Sequence, residues 1–242
     1  MRISLIIPAR NEEAYLPRLL ETVRVARGGY RGGPDAIEVI VADNVSTDRT
    51  AEIARAHGCR VVRVEKRVIG AVRNAGARAA RGEILCFVDA DARIHPETFN
   101  AIGRLLETRR YVGGASGVRL ERMSAGIALT LALMLPLVWL TGMDTGVTFC
   151  RRQDFETIGG YREDLKFAED VKLLLDLRRL GRRRGQRLGR PRSAKATAST
   201  RKFDRYGEWH YFALMARGLW GLLVRPRTLE RWAHEYWYSD RR

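Results

Sequence analysis

Cysteine is scarce in this sequence, and its placement argues against two kinds of stabilised scaffold. Cys59, Cys86 and Cys150 are the only cysteines among 242 residues, and each lies in apolar surroundings. No C-x-x-C pair and no Cys/His cluster with zinc spacing occurs. We therefore predict reduced, buried thiols in a cytoplasmic protein rather than a disulfide framework or a zinc site.

Two glycine-rich nucleotide motifs are missing as well, and the first apolar run does not have the pattern of a signal peptide. No G-x-G-x-x-G follows the first apolar run and no G-x-x-x-x-G-K-[ST] occurs, which argues against a dinucleotide fingerprint and a P-loop. The N-terminal apolar run, residues 3–7, is too short for a signal peptide and meets charge at Arg10. This run is therefore typical of a first buried strand.

Acidic residues are in deficit, with 28 Asp and Glu against 44 Lys and Arg and a net charge of +16. A surface of this sign attracts several classes of anion, namely nucleic acid, acidic lipid head groups and phosphorylated substrates. The charge does not choose among these partners, and it predicts nothing about the fold.

Short apolar runs alternate with helical segments through the first half of the chain. The predicted strands are residues 3–7, 37–42, 60–64 and 84–88, and the predicted helices are 13–26, 47–57, 70–80 and 96–108. This alternation predicts an α/β fold with a mostly parallel central sheet, flanked by helices and connected by right-handed crossovers.

The second half of the chain is less regular. We predict strands at 111–120 and 147–150, a helix at 168–180, and an aromatic-rich helical tail at 206–238. Because no internal repeat and no linker is visible, we predict a single domain over residues 1–242.

Two carboxylates emerge where the fourth predicted strand ends. Asp89-Ala90-Asp91 directly follows the apolar run 84–88. In an open α/β sheet, ligands bind at the carboxyl ends of the strands. Carboxylates one residue apart on a turn can converge on a hard cation such as Mg²⁺ or Mn²⁺, although an ordinary solvated turn is the alternative.

Further polar residues follow the first two predicted strands and precede the fourth. Asp43 ends the second strand, where it either contacts a ligand or hydrogen-bonds its own loop. Ser46 or Thr47 is expected to cap the next helix, with Asp48 adding negative charge to its first turn. Small residues around Arg73 allow a close approach of the third helix to the sheet or to a ligand.

Four segments in this order resemble the motifs of glycosyltransferase family 2, whose members are inverting enzymes with the GT-A fold. They are Pro8-Ala9-Arg10-Asn11-Glu12-Glu13, Val41-Ala42-Asp43-Asn44-Val45-Ser46-Thr47-Asp48, Arg73-Asn74-Ala75-Gly76 and Asp89-Ala90-Asp91. The resemblance is strong over residues 1–110. It implies a GT-A, Rossmann-like fold, with residues 1–110 binding the nucleotide, 111–200 receiving the acceptor and 201–242 forming a helical, aromatic and basic extension.

The resemblance also implies an activity and a set of site residues. The reaction is transfer of a sugar from a UDP- or GDP-linked nucleotide-sugar donor to a hydroxyl acceptor that can be lipid-linked, with a divalent cation, Mg²⁺ or Mn²⁺, as cofactor. The implied donor contacts are Pro8, Arg10 and Glu12 in the nucleotide pocket, Asp43 at the base, Arg73 near the base or diphosphate, Asp89 at the ribose or metal, and Ala90 as a further nucleotide-sugar contact. Asp91, with Asp89, is the implied metal ligand.

The acceptor hydroxyl needs a base, and Glu169-Asp170 at the start of a predicted helix is the candidate pair. By resemblance, Asp170 is the catalytic base, and a helix N-terminus would lower its pKa. Ordinary first-turn acids are the alternative. In some related enzymes a C-terminal histidine completes the metal shell, which makes His210 a further candidate, although a structural role is the simpler expectation.

An uncharged stretch and a basic run bear on membrane contact. Met123 to Met143 could be a buried helix, an interfacial helix or a span, but a single crossing would separate Asp91 from Asp170. Arg178 to Arg192 carries no acid and, with the tail aromatics, predicts peripheral attachment to anionic membrane at the inner face of the cell membrane.

Two other functions were open at this point. A nucleic-acid-binding module would use the positive charge, but Arg178 to Arg192 lacks the interleaved aromatics that such a module needs, so we expect no nucleic-acid partner. A non-catalytic nucleotide-sugar-binding protein is disfavoured by the intact acids at Asp89, Asp91, Glu169 and Asp170.

Overall fold

The structure is a computed structural model that describes residues 1–130, 132, 146–165, 168–207 and 209. The chain divides into two units: Met1–Arg119 with Asp144–Ala198, and Leu120–Met143 with Ser199–Arg242. All the candidate site residues except His210 belong to the first unit. The single domain over residues 1–242 stays a prediction.

Nine strands occur in the described residues. They are β1 (Ile3–Ala9), β2 (Ile37–Asp43), β3 (Arg60–Arg63), β4 (Ile84–Phe87), β5 (Tyr111–Ala115), β6 (Val118–Leu120), β7 (Thr148–Arg151), β8 (Arg187–Gly189) and β9 (Ala196–Ala198). Seven of them form one sheet in the order β3-β2-β1-β4-β7-β5-β8, and β6 pairs with β9 separately. β7 runs antiparallel to β4 and β5, whereas the other pairings in the large sheet are parallel.

The sheet is flanked by helices on both faces. The helices are α1 (Leu16–Gly28), α2 (Thr50–Ala56), α3 (Ile69–Ala79), α4 (Thr98–Glu107), α5 (Arg152–Thr157) and α6 (Glu169–Arg183), and α7 (Arg201–Tyr206) lies in the second unit. The four strands and four helices expected in the first half are confirmed, and so is the mostly parallel sheet. α5, β8 and β9 were not predicted, because each is too short to show a periodic pattern.

Strand β1 shows why the apolar runs of this chain are continuous rather than alternating. All seven of its residues are buried. Ile3, Leu5 and Ile7 pack into the core formed with α1 and α4, whereas Ile6 faces Gly76 of α3 on the opposite side. A strand covered on both faces is apolar at every position.

The crossover from β3 to β4 creates a switch point in the sheet. β2 and β3 are added successively on one side of β1, and the chain then passes through α3 and places β4 on the other side of β1. Ligands of open α/β sheets bind outside the carboxyl ends of the strands at such a point. The loops after β1 and β4, which hold Arg10 and Asp89, therefore border the expected crevice.

Two local expectations were wrong. The strand expected at 111–120 is two strands, because the chain turns at Ser116, whose Oγ accepts a hydrogen bond from the Val147 amide (2.8 Å). Neither Ser46 nor Thr47 caps α2: Asp48 accepts the Thr50 amide (2.9 Å), and the Thr47 amide donates instead to Asn11 (2.9 Å).

The second unit is described over short segments only. Residues 125–130 are helical, and Arg122 forms an ion pair with Asp204 of α7 (2.6 Å). In the described part of the chain, no helix combines the length and the apolar character that a membrane crossing requires. Most of Met123 to Met143, the tail beyond residue 209, and His210 lie outside the described residues.

Candidate active site

A buried arginine joins three carboxylates at the carboxyl edge of the sheet. Arg73 of α3 has only 5% of its side chain exposed. Its Nη1 lies 2.6 Å from Glu169 Oε1 and 2.9 Å from Asp170 Oδ1, and its Nη2 lies 2.8 Å from Asp89 Oδ1. The structure thus brings together Arg73, Asp89 and Asp170, three of the residues that the sequence nominated from separate motifs.

Close packing of α3 places this arginine in the site. Gly76 allows the approach to β1, since a Cβ there would lie 2.4 Å from Ile6 Cγ2. The small residues therefore act as expected from the sequence. With α3 held against the sheet, Arg73 lies beneath the loop that follows β4 and meets Asp89 there.

Asn74 fastens the second half of the chain to the same helix. Its Nδ2 donates to the Tyr161 carbonyl (2.9 Å) and to Glu163 Oε1 (3.0 Å), and its Oδ1 accepts the Tyr161 amide (2.9 Å). Gly160 has φ +72° and a Cβ there would lie 2.8 Å from Asn74 Oδ1, so the turn before Tyr161 requires glycine. Sequence reasoning assigned no contact to Asn74 or to Gly160-Tyr161.

Tyr161 forms the apolar side of the cluster. Its ring lies 5.1 Å from the Arg73 guanidinium carbon, within cation–π range, and contacts Phe87 edge-on with centroids 5.0 Å apart. Burial, together with the nearby Asp170 carboxylate, raises the pKa of the Tyr161 hydroxyl, so this group is neutral at physiological pH. The ring therefore shields one side of the charged cluster from water.

Asp170 lies in the first turn of α6, directly after a strained residue. Ala168 adopts a left-handed conformation with φ 57°, which is rare for alanine and often marks a functional turn. Burial raises the pKa of Asp170 to about 6, against the lowering effect of Arg73, and the neighbouring Glu169 and Asp89 carboxylates raise it further. The expected lowering by the helix N-terminus was wrong, because burial and like charges outweigh the helix dipole.

The loops after β1 and β2 are bound to each other. Asn11, with φ 53°, donates its amide to Ser46 Oγ (3.1 Å), and the Glu12 amide donates to Thr50 Oγ1 (2.8 Å). Asp43, 6% exposed, accepts the Ser46 amide at 3.2 Å. Part of the Asp43 carboxylate is therefore used in loop bonding, one of the two roles that the sequence left open.

The remaining nominated residues lie along the same edge. Pro8 is buried in β1 opposite Ala42, Arg10 is half-buried just beyond β1, and Ala90 is buried between the two aspartates of the D-x-D turn. They share the edge of the sheet with the Arg73 cluster, because β1, β2 and β4 are parallel neighbours.

The donor atoms at the D-x-D turn suit a divalent cation. Asp89 is 58% exposed and Asp91 is half-buried, and carboxylate oxygens are the ligands that Mg²⁺ and Mn²⁺ prefer. Within the described ranges, no three His, Cys, Asp or Glu side chains are grouped to hold a metal ion by themselves. The two aspartates thus fit a cation that takes its other ligands from water and from a bound diphosphate.

Sequence relatives cover about two fifths of the chain. A 4,4'-diaponeurosporenoate glycosyltransferase of Staphylococcus haemolyticus is 41% identical over 102 residues, which is 39% of this chain and 25% of that protein. An undecaprenyl-phosphate 4-deoxy-4-formamido-L-arabinose transferase of Pseudomonas paraeruginosa is 38% identical over 112 residues, 43% of this chain and 31% of that protein. The chain spans less than a third of these relatives.

Solved structures extend the likeness to most of the chain. TarS of S. aureus superposes with TM-score 0.63 at 20% identity over 86% of this chain and 38% of that one. Glucosyl-3-phosphoglycerate synthase of Mycobacterium tuberculosis, in complex with Mn²⁺, UDP and glucosyl-3-phosphoglycerate, superposes with TM-score 0.62 at 22% identity over 85% and 75%. The fold is that of the GT-A glycosyltransferases.

The family model for glycosyl transferase family 2 matches residues 4–123, a range that runs from β1 through the D-x-D turn to the end of β6. This range contains all four of the sequence motifs described above, including the segment that begins at Arg73. The resemblance seen in the sequence is confirmed: through these residues, the chain belongs to glycosyl transferase family 2.

Proposed function

We propose that this protein is an inverting, metal-dependent glycosyltransferase that moves a sugar from a nucleotide-sugar donor to the hydroxyl of a lipid-linked acceptor. The observation that carries the proposal is the ion-pair cluster around Arg73. It connects Asp89 of the donor-side D-x-D turn with Asp170 at the start of α6. A relative that is named an undecaprenyl-phosphate 4-deoxy-4-formamido-L-arabinose transferase supports a lipid-linked acceptor.

The donor lies, in this proposal, across the carboxyl ends of β1, β2 and β4. Pro8, Arg10 and Glu12 line the nucleotide pocket, and Asp43 contacts the base. The position of these residues supports the assignment. The loops after β1 and β2 are joined by several hydrogen bonds and form a preformed wall beside the switch point.

The diphosphate lies, in the same proposal, beside the D-x-D turn. Asp91, together with Asp89, holds the divalent cation, and Ala90 leaves room between them for the ribose and diphosphate. When bound, such a cation offsets the negative charge that develops on the departing nucleoside diphosphate. Arg73 supports this role by fixing one oxygen of Asp89 at 2.8 Å, which orients that carboxylate before the donor arrives.

Asp170 is the proposed catalytic base. Its side chain is 22% exposed, so an acceptor hydroxyl can reach it from solvent. The carboxylate accepts the hydroxyl proton while the acceptor oxygen attacks the anomeric carbon on the face opposite the diphosphate, which inverts the configuration. A pKa of about 6 suits this task, because the group is mostly ionised at neutral pH and still basic enough to take a proton.

We also propose peripheral attachment at the inner face of the cell membrane, where a lipid-linked acceptor is presented. The support is the exposed basic segment at the end of α6 and beyond it, including Arg182, Arg183 and Arg187. Basic residues near an anionic lipid surface favour binding to it.

Thermal unfolding with UDP-, GDP- and dTDP-sugars, each with and without Mn²⁺, tests the donor assignment. One nucleotide class should raise the melting temperature in a Mn²⁺-dependent manner, with about 2.7 kcal/mol of stabilisation at a hundredfold excess over Kd. Asp91→Asn should lose the Mn²⁺-dependent part of the shift, whereas Asp164→Asn, a change at an exposed aspartate paired with Arg162, should keep it. No stabilisation by any of the three classes would overturn the proposal.

A further inference from the structure

A basic groove lies beside the D-x-D turn and is separate from the Arg73 cluster. Its volume is about 460 Å³, and its charged lining consists of Arg93, His95, Arg119, Arg192 and Lys195. Among the described residues that line it, none is acidic. A cavity of this size accommodates a small organic ligand, and its charge selects for an anion.

The frame of this groove is rigid. Arg93 and Thr197 exchange two backbone hydrogen bonds of 2.8 Å, which attach the D-x-D loop to β9. The Ile94 amide donates to Thr22 Oγ1 of α1 (3.1 Å), and Ala194 is fully buried between two of the basic residues. Arg93 therefore projects from a backbone segment that is hydrogen-bonded to both β9 and α1, which lowers the entropic cost of ordering it around a ligand.

Three of the cations in the groove have no carboxylate partner among the described residues. Across the described ranges, no ion pair joins Arg119, Arg192 or Lys195 to a carboxylate, in contrast to the paired arginines elsewhere in the first unit. The Nδ1 of His95 accepts the Glu97 amide (3.1 Å), so a neutral His95 carries its proton on Nε2 and can donate a hydrogen bond. In the described part of its lining, the groove thus offers several hydrogen-bond donors and no carboxylate.

A second cavity adjoins the groove and is also basic. Its volume is about 440 Å³, it shares Arg192 and Ser193 with the groove, and its other lining residues are Ala101, Arg104, Leu105, Arg190 and Pro191. The basic lining therefore extends beyond the groove itself. Guanidinium and ammonium groups together favour a phosphate, which accepts several charge-assisted hydrogen bonds at once.

We propose that the groove binds the phosphate group of an organic phosphate other than the sugar donor. Arg93 is two residues from Asp91, so at most about 7 Å of chain separates the groove from the proposed metal turn. A phosphate held there lies close enough to the reaction edge to belong to the acceptor. This last step rests on the proposed function, whereas phosphate binding in the groove does not.

Calorimetric titration of the full chain with inorganic phosphate, at constant ionic strength, tests the proposal. Arg119→Gln combined with Arg192→Gln should weaken binding by about tenfold or more, because the double variant loses two charge-assisted contacts. Arg55→Gln combined with Arg78→Gln is the matched control. It removes the same charge from exposed helix ends outside the groove and should leave the affinity within about twofold. Equal affinities in the two double variants, or no saturable binding to the unmodified chain, would overturn the proposal.

Vesicles distinguish the source of the phosphate. Co-sedimentation is compared for phosphatidylcholine vesicles with and without phosphatidic acid, whose head group is a phosphate monoester. If only the groove variant loses binding to phosphatidic acid, the ligand is a lipid phosphate; if both double variants keep it while their phosphate affinities differ, the ligand is a soluble phosphate ester. The groove variant should still be stabilised by a nucleotide-sugar in thermal unfolding. A failure of the donor assignment can therefore be distinguished from a failure of phosphate binding in the groove.

Discussion

At the scale of single residues, Arg73 organises the site. Burial by itself would lower the pKa of this guanidinium, but the Asp170 and Asp89 carboxylates outweigh burial and raise the pKa well above its usual value. Arg73 is therefore permanently charged. It pairs with Asp89 after β4 and with Asp170 at the start of α6, so a single side chain sets the position of both carboxylates relative to α3.

The pKa of Asp170 predicts the pH dependence of transfer. Because only the ionised carboxylate can accept the acceptor proton, kcat/KM should rise with pH through a midpoint near 6 and level off above it. Arg73→Gln removes the positive charge that opposes burial and should move the midpoint to higher pH, whereas Arg73→Lys should keep it closer to 6. Initial rates between pH 4.5 and about 8.5 measure the midpoint, and a flat profile would contradict the assignment.

The Asp170→Asn variant separates catalysis from folding. Transfer should fall by about 10²- to 10⁴-fold. The folded-state pKa lies above the ordinary value of 3.8, so the stability that protonated Asp170 contributes is present below about pH 4 and is lost as pH rises through 6. At pH 8 the neutral amide should therefore be no less stable than the carboxylate. A lower urea midpoint for Asp170→Asn at pH 8 would show that the Arg73 ion pair outweighs burial.

At the scale of elements, the position of α3 decides the geometry of the crevice. The helix carries Arg73 and Asn74, and it lies directly on β1 because Gly76 has no side chain. Asn74 then makes two hydrogen bonds to the backbone of Tyr161 and one to the side chain of Glu163. These bonds hold the segment that precedes α6 against α3. The spacing between α3 and β1 therefore controls where Arg73 holds Asp89 and Asp170.

A methyl group at position 76 tests this packing. Gly76→Ala places a Cβ 2.4 Å from Ile6 Cγ2, so α3 or β1 must shift, and the free energy of unfolding should fall by about 1–3 kcal/mol. Gly28→Ala is the control, because nothing lies within 4 Å of a Cβ at the end of α1, and stability should stay equal or rise slightly. Urea denaturation measures both, and equal midpoints for the two variants would contradict the role of Gly76.

At the scale of the whole molecule, the positive charge is unevenly distributed over the surface. The net charge is +16, and many arginines of the first unit lie on the surface around the end of α6 and the loop before β9. Some arginines are paired, as Arg184 is with Asp154, but Arg182 and Arg183 are exposed in the last turn of α6. This distribution favours contact with an extended anionic surface.

Vesicle binding tests that expectation. The protein should co-sediment with phosphatidylserine-containing vesicles at low salt and dissociate at about 0.5 M salt, where charges are screened beyond a few ångströms. Arg182→Gln with Arg183→Gln should weaken binding by roughly tenfold or more, whereas Arg55→Gln with Arg78→Gln should weaken it less. If the two pairs have the same effect, total charge rather than the basic segment attracts the membrane.

Much of the architecture was predictable because local patterns carried it. The buried parallel strands are continuous apolar runs, as at β1 and β4, and each is followed by a polar turn that marks the ligand edge. β8 and β9 were not predictable, because three residues carry too little periodic signal. The break at Ser116 also went unseen, since it depends on a hydrogen bond to residue 147.

The sequence by itself determined the family, the parallel direction of the strands in the first half and the residue types at the strand ends. These properties depend on short-range patterns. Only the tertiary structure decided that Arg73 bridges Asp89 to Glu169 and Asp170, which follow Asp89 by 80 and 81 positions in the chain. It also decided that Asp170 has a raised pKa and that Arg93, Arg119 and Arg192 share one groove. Burial and long-range contact set these properties, and neither is encoded in any single segment.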